Sequence, residues 1–157
     1  MIIAGCDNGF SGAIALIQDD LRILGLYDMP VLQSGKTKEV DVSTLQTILK
    51  SQKIAHLFIE KAQSMPGNGG RAMFNYGMSY ATVRTLAYCL NISSTIVPPQ
   101  TWKKELLFGM PKDKESSIIR AVQLFPEWKP KRKLDHNKSE ALLLAYYGIM
   151  RMRSEVL

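Results

Sequence analysis

The sequence predicts an α/β fold: a five-stranded mixed sheet, in the element order βββαβαβα, flanked by helices. Short apolar segments that favour strands open the chain. Helical patterns then separate the third strand from the fourth and the fourth from the fifth, which requires crossover connections and places helices on both faces of the sheet. The chain has 157 residues, of which 46% are apolar and 22% charged. These values suit a single domain over residues 1–157.

Three strands are expected first, in meander order. The segments MIIAGCD, GAIALIQ and LRILGLYDM each have the composition of a strand. Two acids, Asp19 and Asp20, separate the second segment from the third and favour a hairpin turn. The segment that follows, VLQSGKTKEV at residues 31–40, is predicted to be a polar loop.

Helices alternate with two further strands in the rest of the chain. The first helix is predicted in DVSTLQTILKSQK, where apolar residues recur at helical spacing after a capping residue, either Asp41 or Ser43. The fourth strand is predicted in IAHLFIE, which is apolar on both faces and ends at Glu60. A long helix, a fifth strand, two short helices and a closing helix are predicted in RAMFNYGMSYATVRTLAYCL, SSTIVPP, QTWKKELLF, KDKESSIIRAVQLF and HNKSEALLLAYYGIMRMR.

The net charge of +6 is concentrated in one quarter of the chain. Residues 101–138 contain ten Lys or Arg residues against five Asp or Glu residues. Such an excess is typical of a surface that meets an anionic partner, although a solvated face explains the composition equally well.

The composition also predicts a cytoplasmic protein. Cys6 and Cys89 lie in apolar segments without the spacing of a metal site, which predicts buried free thiols in a reducing compartment. No apolar segment approaches the length of a membrane span, so no membrane partner is expected. The first strand begins at Met1 and leaves no room for a signal peptide.

Three acids lie at the ends of strongly apolar elements. Asp7 ends the first strand, Glu60 ends the fourth, and Glu140 opens the last helix. If the two strands are parallel neighbours, Asp7 and Glu60 meet at the edge where open α/β sheets bind ligands. Two carboxylates there repel each other unless a cation or a proton intervenes. Each acid also has a structural interpretation as a turn or capping residue, and Glu140 would complete a capping box with Asn137.

A cluster of carboxylate oxygens suits Mg²⁺ or Mn²⁺. Two such ions about 4 Å apart are a standard arrangement for in-line phosphodiester hydrolysis. We therefore expect two ions per active site and no small-molecule cofactor.

Four segments of the sequence resemble a known family. GCDNGFSGAIAL, FIEKAQ, VPPQTWKKELLFGMPKDKESSI and KSEALLLAYYG are similar to the RuvC Holliday junction resolvases of the RNase H-like nuclease superfamily, over almost the whole chain. The short, divergent form resembles the versions carried by bacteriophages, which work in the cytoplasm of the host cell. The resemblance implies a metal-dependent endonuclease that cuts four-way DNA junctions and, by extension, other branched DNA.

The resemblance implies four catalytic, metal-binding groups, and the three acids match three of them. Relatives more often have aspartate in place of Glu140. The fourth group usually lies three residues before the last, as aspartate or histidine, but here that residue is Asn137. His136 lies four residues before Glu140, on the same face of a helix, and is the preferred candidate. Asp135 is the second candidate and is expected to precede or cap the helix.

Basic residues near this site are the expected contacts to the DNA backbone. The lysines of WKKELLFG and KDKESS match positions where the family contacts DNA, and KPKRK precedes the last helix. These candidates are Lys103, Lys104, Lys114, Lys131, Arg132 and Lys133. In the loop after the fourth strand, relatives place an aromatic residue that probes junction bases. Gln63, Ser64 and Met65 occupy this place and are further candidate DNA contacts, without the aromatic ring that base stacking would use.

The long helix RAMFNYGMSYATVRTLAYCL has a second apolar stripe beyond the one that can pack on the sheet. The resemblance implies that this helix forms a homodimer, which would place two active centres for paired cuts. The alternative is a helix that is fully buried in the core.

Three other functions compete with this interpretation. DNGFSGAIAL is also similar to the phosphate loop of the actin and sugar-kinase fold, but 157 residues leave no room for the second domain of that fold. A non-catalytic DNA-binding or packaging protein that kept the fold and lost one ligand stays open. A related RNase H-like nuclease for another structured nucleic acid stays open too.

Overall fold

The structure, a computed structural model, describes residues 1–63, 67 and 69–154. Within them the strands are β1 (Ile2–Asp7), β2 (Ala13–Gln18), β3 (Ile23–Asp28), β4 (Val31–Ser34), β5 (Thr37–Val40), β6 (His56–Glu60) and β7 (Ser94–Val97). The helices are α1 (Val42–Lys50), α2 (Gly70–Cys89), α3 (Pro99–Leu106), α4 (Lys114–Leu124) and α5 (Asp135–Ser154). In this part of the chain, no helix combines the length and the apolar character needed to cross a membrane.

The central sheet has five strands in the order β3-β2-β1-β6-β7. β2 is antiparallel to both β1 and β3, so the first three strands form the predicted meander. β6 is parallel to β1, and β7 is parallel to β6. The predicted five-stranded mixed sheet is therefore confirmed, and β1 lies at its centre.

The prediction of a polar loop at residues 31–40 was wrong. β4 and β5 pair in an antiparallel hairpin, from Val31 opposite Val40 to Ser34 opposite Thr37. The two-residue turn begins with Gly35, which has a φ of +57°, and glycine in this place is typical of a type II′ turn. The strands escaped recognition because their side chains are mostly exposed, so they carry little of the apolar alternation that marks a half-buried strand.

Helices cover both faces of the sheet, as predicted. Ile3 of β1 packs on the α5 side of the sheet, whereas Ala4 and Cys6 pack on the side of α1 and α2. α5 approaches β1 so closely that a Cβ on Gly5 would lie 2.2 Å from the carbonyl oxygen of Ala141. Glycine is therefore required at this position. Since Ala141 directly follows Glu140, the same contact fixes where Glu140 reaches the sheet.

The interpretation of the long helix as fully buried was wrong. In α2 the buried side chains are those of Ser79, Val83, Leu86 and Ala87. Phe74 is 66% exposed and Tyr88 is 85% exposed. α2 thus packs on the sheet with one stripe and presents large apolar side chains on its outer face.

The two cysteines differ in environment. Cys6 is buried in β1, as predicted, whereas Cys89 is exposed at the end of α2. The prediction for Cys89 was wrong because the apolar segment around it belongs to a helix with one open face.

Candidate active site

The ends of β1 and β6 bring Asp7 and Glu60 side by side. The two strands are parallel neighbours whose last paired residues are Cys6 and Ile59, and each acid is the next residue along its strand. The chain turns back immediately after Asp7. A Cβ on Gly12 would lie 2.0 Å from the carbonyl oxygen of Asp7, so glycine is required for β2 to double back beside the carboxylate.

Burial and mutual repulsion raise the pKa values of these two carboxyl groups. Burial, followed by the charge of Asp7, raises the pKa of Glu60 to about 7. Burial, followed by the charge of Glu140, raises the pKa of Asp7 to about 6. Because each carboxylate is hard to ionise beside the others, the site favours the approach of positive charge.

Glu140 joins this pair from α5 and is held by two neighbours. Its Oε1 accepts hydrogen bonds from Nζ of Lys103, at 2.8 Å, and from Oγ of Ser117, at 3.2 Å. The positive charge of Lys103 also acts on Asp7 and Glu60, lowering their pKa values against the larger effect of burial. Lys103 and the three acids therefore form one electrostatic cluster, called the acidic cluster below.

Two residues that the sequence interpretation did not single out hold Glu60 in place. The indole of fully buried Trp102 donates a hydrogen bond from Nε1 to Oε2 of Glu60, at 2.9 Å. The side-chain amide of buried Asn8 donates to the carbonyl oxygen of Glu60, and Oγ of Ser79 donates to the carbonyl oxygen of Asn8. One feature of the sequence could have indicated the Trp102–Glu60 contact. Trp102 lies in a largely polar, basic helix segment, and a buried indole N–H needs an acceptor.

A groove of about 860 Å³ adjoins the acidic cluster and is called the basic groove below. α5 contributes Glu140, His136 and Asn137 to its walls. The opposite walls come from α3, the connection after it and the start of α4, and their lysines are Lys103, Lys104, Lys112 and Lys114. An anionic polymer in this groove would lie beside the Glu140 carboxylate.

A second cavity, of about 350 Å³, borders Asp7 on the side of α2. Its lining includes Phe10, Asn75 and Tyr76, and it shares Asn137 with the basic groove. Burial, followed by the charge of Glu60, raises the pKa of Tyr76. The acidic cluster therefore has open space on two sides.

Solved structures with the same arrangement of elements identify the fold. RuvC of T. thermophilus in complex with a Holliday junction substrate aligns with a TM-score of 0.74 and 13% sequence identity, over 98% of this chain and 96% of that chain. The chain has the RuvC-type RNase H-like fold. A second Thermus thermophilus RuvC structure aligns with a TM-score of 0.64 and 15% identity, over 99% of this chain and 97% of that one.

A viral protein shares the RuvC-like fold. The Fowlpox virus resolvase, in complex with substrate Holliday junction DNA, aligns with a TM-score of 0.58 and 13% identity, over 97% of this chain and 99% of that chain. No protein-family model matches the sequence, and no curated protein does either. At 13–15% sequence identity, this likeness establishes the RuvC-like fold, and the chemistry has to be inferred from the side chains of this chain.

The three candidates for a fourth ligand have different environments in the RuvC-like fold. The Asp135 carboxylate accepts hydrogen bonds from the backbone N–H groups of Lys131 and Arg132 and from the Arg132 guanidinium. These bonds outweigh burial and lower the pKa of Asp135 to about 2. Nδ1 of His136 lies 3.0 Å from the carbonyl oxygen of Lys133. Since that oxygen can only accept, Nδ1 carries a proton, and in the neutral ring the lone pair is then on Nε2.

Asn137 does not cap the last helix. α5 begins at Asp135, so Asn137 lies within its first turn, and its amide donates to the carbonyl oxygen of Ser11. The interpretation of Asn137 and Glu140 as a capping box was therefore wrong. The expectation that Asp135 precedes or caps the helix was also wrong, because Asp135 is the first residue of α5 and its carboxylate binds the backbone of the preceding loop.

The predicted DNA-contacting residues fall into separate groups in the RuvC-like fold. Lys103, Lys104 and Lys114 line the basic groove. Lys131 and Lys133 are exposed before α5, while the Arg132 guanidinium is paired with Asp28 and Asp135. Gln63 exchanges side-chain hydrogen bonds with Gln100 at the start of α3. Ser64 and Met65 lie outside the described residues.

The donor set of the acidic cluster fits a divalent cation. Asp7, Glu60 and Glu140 offer hard carboxylate oxygens of the kind that Mg²⁺ and Mn²⁺ prefer. Within the described ranges, however, no three Asp, Glu, His or Cys side chains are already gathered closely enough to enclose an ion. In this arrangement the positive charge of the cluster comes from Lys103, through its ion pair with Glu140.

Proposed function

We propose that this protein is a divalent-metal-dependent endonuclease that cuts four-way DNA junctions and other branched DNA. The observation that carries the proposal is the electrostatic interaction of Asp7 and Glu60 with Glu140, which lines the lysine-rich groove. Buried carboxylates with raised pKa values are costly for a fold to keep, and such groups are concentrated at functional sites.

The substrate class follows from charge and from the fold. Four lysines line the basic groove, and phosphate contacts of this kind supply most of the affinity of DNA-binding proteins. Two proteins of the same fold, T. thermophilus RuvC and the Fowlpox virus resolvase, have Holliday junctions as substrates. These similarities support junction DNA as the substrate.

The acidic cluster would hold Mg²⁺ or Mn²⁺, as one or two ions, through Asp7, Glu60 and Glu140. Bound there, the metal supplies Lewis acidity that polarises the phosphate, activates the attacking water and stabilises the leaving oxygen. The chain's own residues orient the ligands. Trp102 holds the Glu60 carboxylate, and α5 fixes Glu140 through its close contact with β1.

His136 is proposed as the fourth catalytic group. With Nδ1 facing the carbonyl oxygen of Lys133, the neutral ring would offer the lone pair of Nε2, and the ring lines the same groove as Glu140. It would serve as a metal ligand or as a base for the attacking water. Asp135 is less suitable because its carboxylate is already engaged by Lys131 and Arg132.

A homodimer through α2 is part of the proposal. The outer face of this helix carries exposed Phe74 and Tyr88, which a second copy of the chain would cover. The two active centres of such a dimer would allow paired cuts in a four-way junction.

One specific observation favours a second candidate function, a junction-binding protein without catalysis. The Lys103–Glu140 ion pair neutralises part of the acidic cluster without any metal. A protein that permanently kept this pair would bind branched DNA and leave it intact.

A cleavage panel separates these functions. The purified protein is incubated with four-way junctions, forks, flaps and linear duplex, with Mg²⁺ or Mn²⁺, beside the matched variant Asp7→Asn. We expect wild-type cleavage of branched DNA, no cleavage by Asp7→Asn, and junction binding by both, because asparagine keeps the shape and loses the charge. Full activity in the Asp7→Asn variant would remove Asp7 from the mechanism. Binding without cleavage by the wild type would establish the non-catalytic alternative.

A further inference from the structure

Lys103 lies where the acidic cluster meets the basic groove. Its Nζ is 2.8 Å from Oε1 of Glu140, and its side chain is 35% exposed, whereas that of Glu140 is 15% exposed. Its charge also acts on Asp7 and Glu60. One ammonium group therefore neutralises part of a cluster that contains three acids.

The surroundings of Lys103 allow its ammonium group to move. The side chain is a flexible four-carbon stem and is 35% exposed. Lys103 also lines the basic groove together with Lys104 and Lys114. The ammonium group can therefore leave Glu140 for the groove while α3 stays anchored by the buried indole of Trp102.

A divalent cation and the Lys103 ammonium group compete for the same carboxylate. Like charges within a few ångströms of each other are unfavourable in a partly buried site. A metal ion bound by Glu140 would thus repel the ammonium group, and the nearest anions beyond the cluster would be the phosphates of DNA in the basic groove.

We propose that Lys103 is an exchangeable counter-ion, displaced from Glu140 by a divalent cation and then bound to a phosphate of DNA in the basic groove. The inference rests on the proposed function, and it adds a consequence: metal and DNA bind with positive coupling through this residue. By linkage, each ligand then raises the affinity for the other by the same factor.

The first test measures metal binding without DNA. Calorimetric titration with Mn²⁺ at pH 8 compares the wild type with Lys103→Met and with the matched control Lys104→Met, which alters the neighbouring lysine of the same groove. We expect Lys103→Met to bind Mn²⁺ on the order of tenfold more tightly, since a competing cation is gone. Lys104→Met should bind Mn²⁺ like the wild type. Equal or weaker Mn²⁺ binding by Lys103→Met overturns the exchange.

The second test measures coupling. Binding of a four-way junction is compared with and without Ca²⁺, which replaces Mg²⁺ to slow cleavage. Ca²⁺ should raise the junction affinity of the wild type several-fold and that of Lys103→Met by a clearly smaller factor, since only the direct attraction between the ion and a phosphate is left. Lys104→Met should lose affinity equally in both conditions. Coupling of the same size in Lys103→Met as in the wild type contradicts the proposal.

Two features keep the outcomes distinct. The metal titration contains no DNA, so tighter Mn²⁺ binding by Lys103→Met can be seen even if the protein cuts no junction. Conversely, if the protein cuts junctions but Lys103→Met binds Mn²⁺ like the wild type, the proposed function stands and the exchange is wrong. If Lys103→Met fails to fold by circular dichroism, Lys103→Gln takes its place with the same expected gain in Mn²⁺ affinity. Lys103→Arg keeps the charge and should not show that gain.

Discussion

The indole of Trp102 donates a hydrogen bond to the Glu60 carboxylate, at 2.9 Å, inside the core of the protein. The next residue, Lys103, pairs with Glu140. Two consecutive residues of α3 therefore hold the two glutamates of the acidic cluster. Because an indole N–H can only donate, it stabilises the ionised carboxylate that a metal would need.

Replacement of Trp102 by phenylalanine removes this donor and keeps most of the ring volume. We expect Trp102→Phe to lose roughly 10- to 100-fold in Mn²⁺ affinity or cleavage rate, the usual cost of removing a residue that orients a metal ligand. Calorimetric titration and single-turnover cleavage measure the two quantities. Trp128→Phe, at a tryptophan outside the acidic cluster, is the control. Unchanged metal affinity in Trp102→Phe would mean that the indole only fills space.

The raised pKa values of Asp7 and Glu60 predict opposite pH trends for metal affinity and for the stability of the metal-free protein. Metal binding needs ionised carboxylates, so Mn²⁺ affinity should fall as the pH decreases through about 7 and then about 6. The folded state binds protons at these groups more tightly than the unfolded state. Their contribution to stability is therefore fully present below the unfolded pKa values of about 4 and is lost as the pH rises through 7.

Glu60→Gln isolates this effect, because the amide mimics the protonated acid. Because Glu60 is buried, its charged form is costly. At pH 8 without metal, we therefore expect the Tm of Glu60→Gln to exceed that of the wild type by at least about 3 °C. At pH 4.5 the difference should be much smaller. Thermal unfolding at the two pH values measures it, and a variant that is less stable at pH 8 would contradict the repulsion between the carboxylates.

The residues at the start of α5 should separate catalysis from stability. His136→Ala should lose most cleavage and unfold close to the wild type. Asp135→Asn should lose about 2 kcal/mol of stability, since its carboxylate accepts charge-assisted and backbone hydrogen bonds, and should lose much less activity. Cleavage with each metal and urea unfolding measure the two effects. The reverse order of activities would assign the fourth group to Asp135.

The basic segment before α5 should contribute to DNA affinity through its two exposed lysines. Changing Lys131 and Lys133 together to alanine should flatten the salt dependence of junction binding by about one unit per lost phosphate contact, without a change in Tm. Arg132→Ala should lower the Tm, because its guanidinium links Asp28 to Asp135. An unchanged slope in the double variant would make this segment a solvated loop.

Association through α2 is tested by sedimentation. The wild type should be a dimer at micromolar concentration, and Phe74→Asp should be a monomer with wild-type circular dichroism, because Phe74 is 66% exposed within the chain. Lys50→Asp, on a different helix, is the control and should remain a dimer. A monomeric wild type would refute the proposed dimer.

Most elements were predictable because their signals are local. Apolar segments indicated the five strands of the central sheet, and helical spacing after Asp41 indicated α1, whose cap Asp41 provides by accepting from the Thr44 N–H. The β4–β5 hairpin was missed because most of its side chains face solvent. Its one clear signal, Gly35 at the turn, is too short to outweigh a polar composition.

The sequence alone determined which acids end the apolar elements, and hence the candidates Asp7, Glu60 and Glu140. Only the tertiary structure decided what surrounds them. Trp102 meets Glu60 across 42 residues of chain, and Lys103 meets Glu140 across 37. No periodicity or spacing encodes such contacts, because they depend on where α3 packs against the sheet and α5. Short segments of sequence determine where a carboxylate lies along the chain, whereas the packing of distant elements determines the partners that orient it.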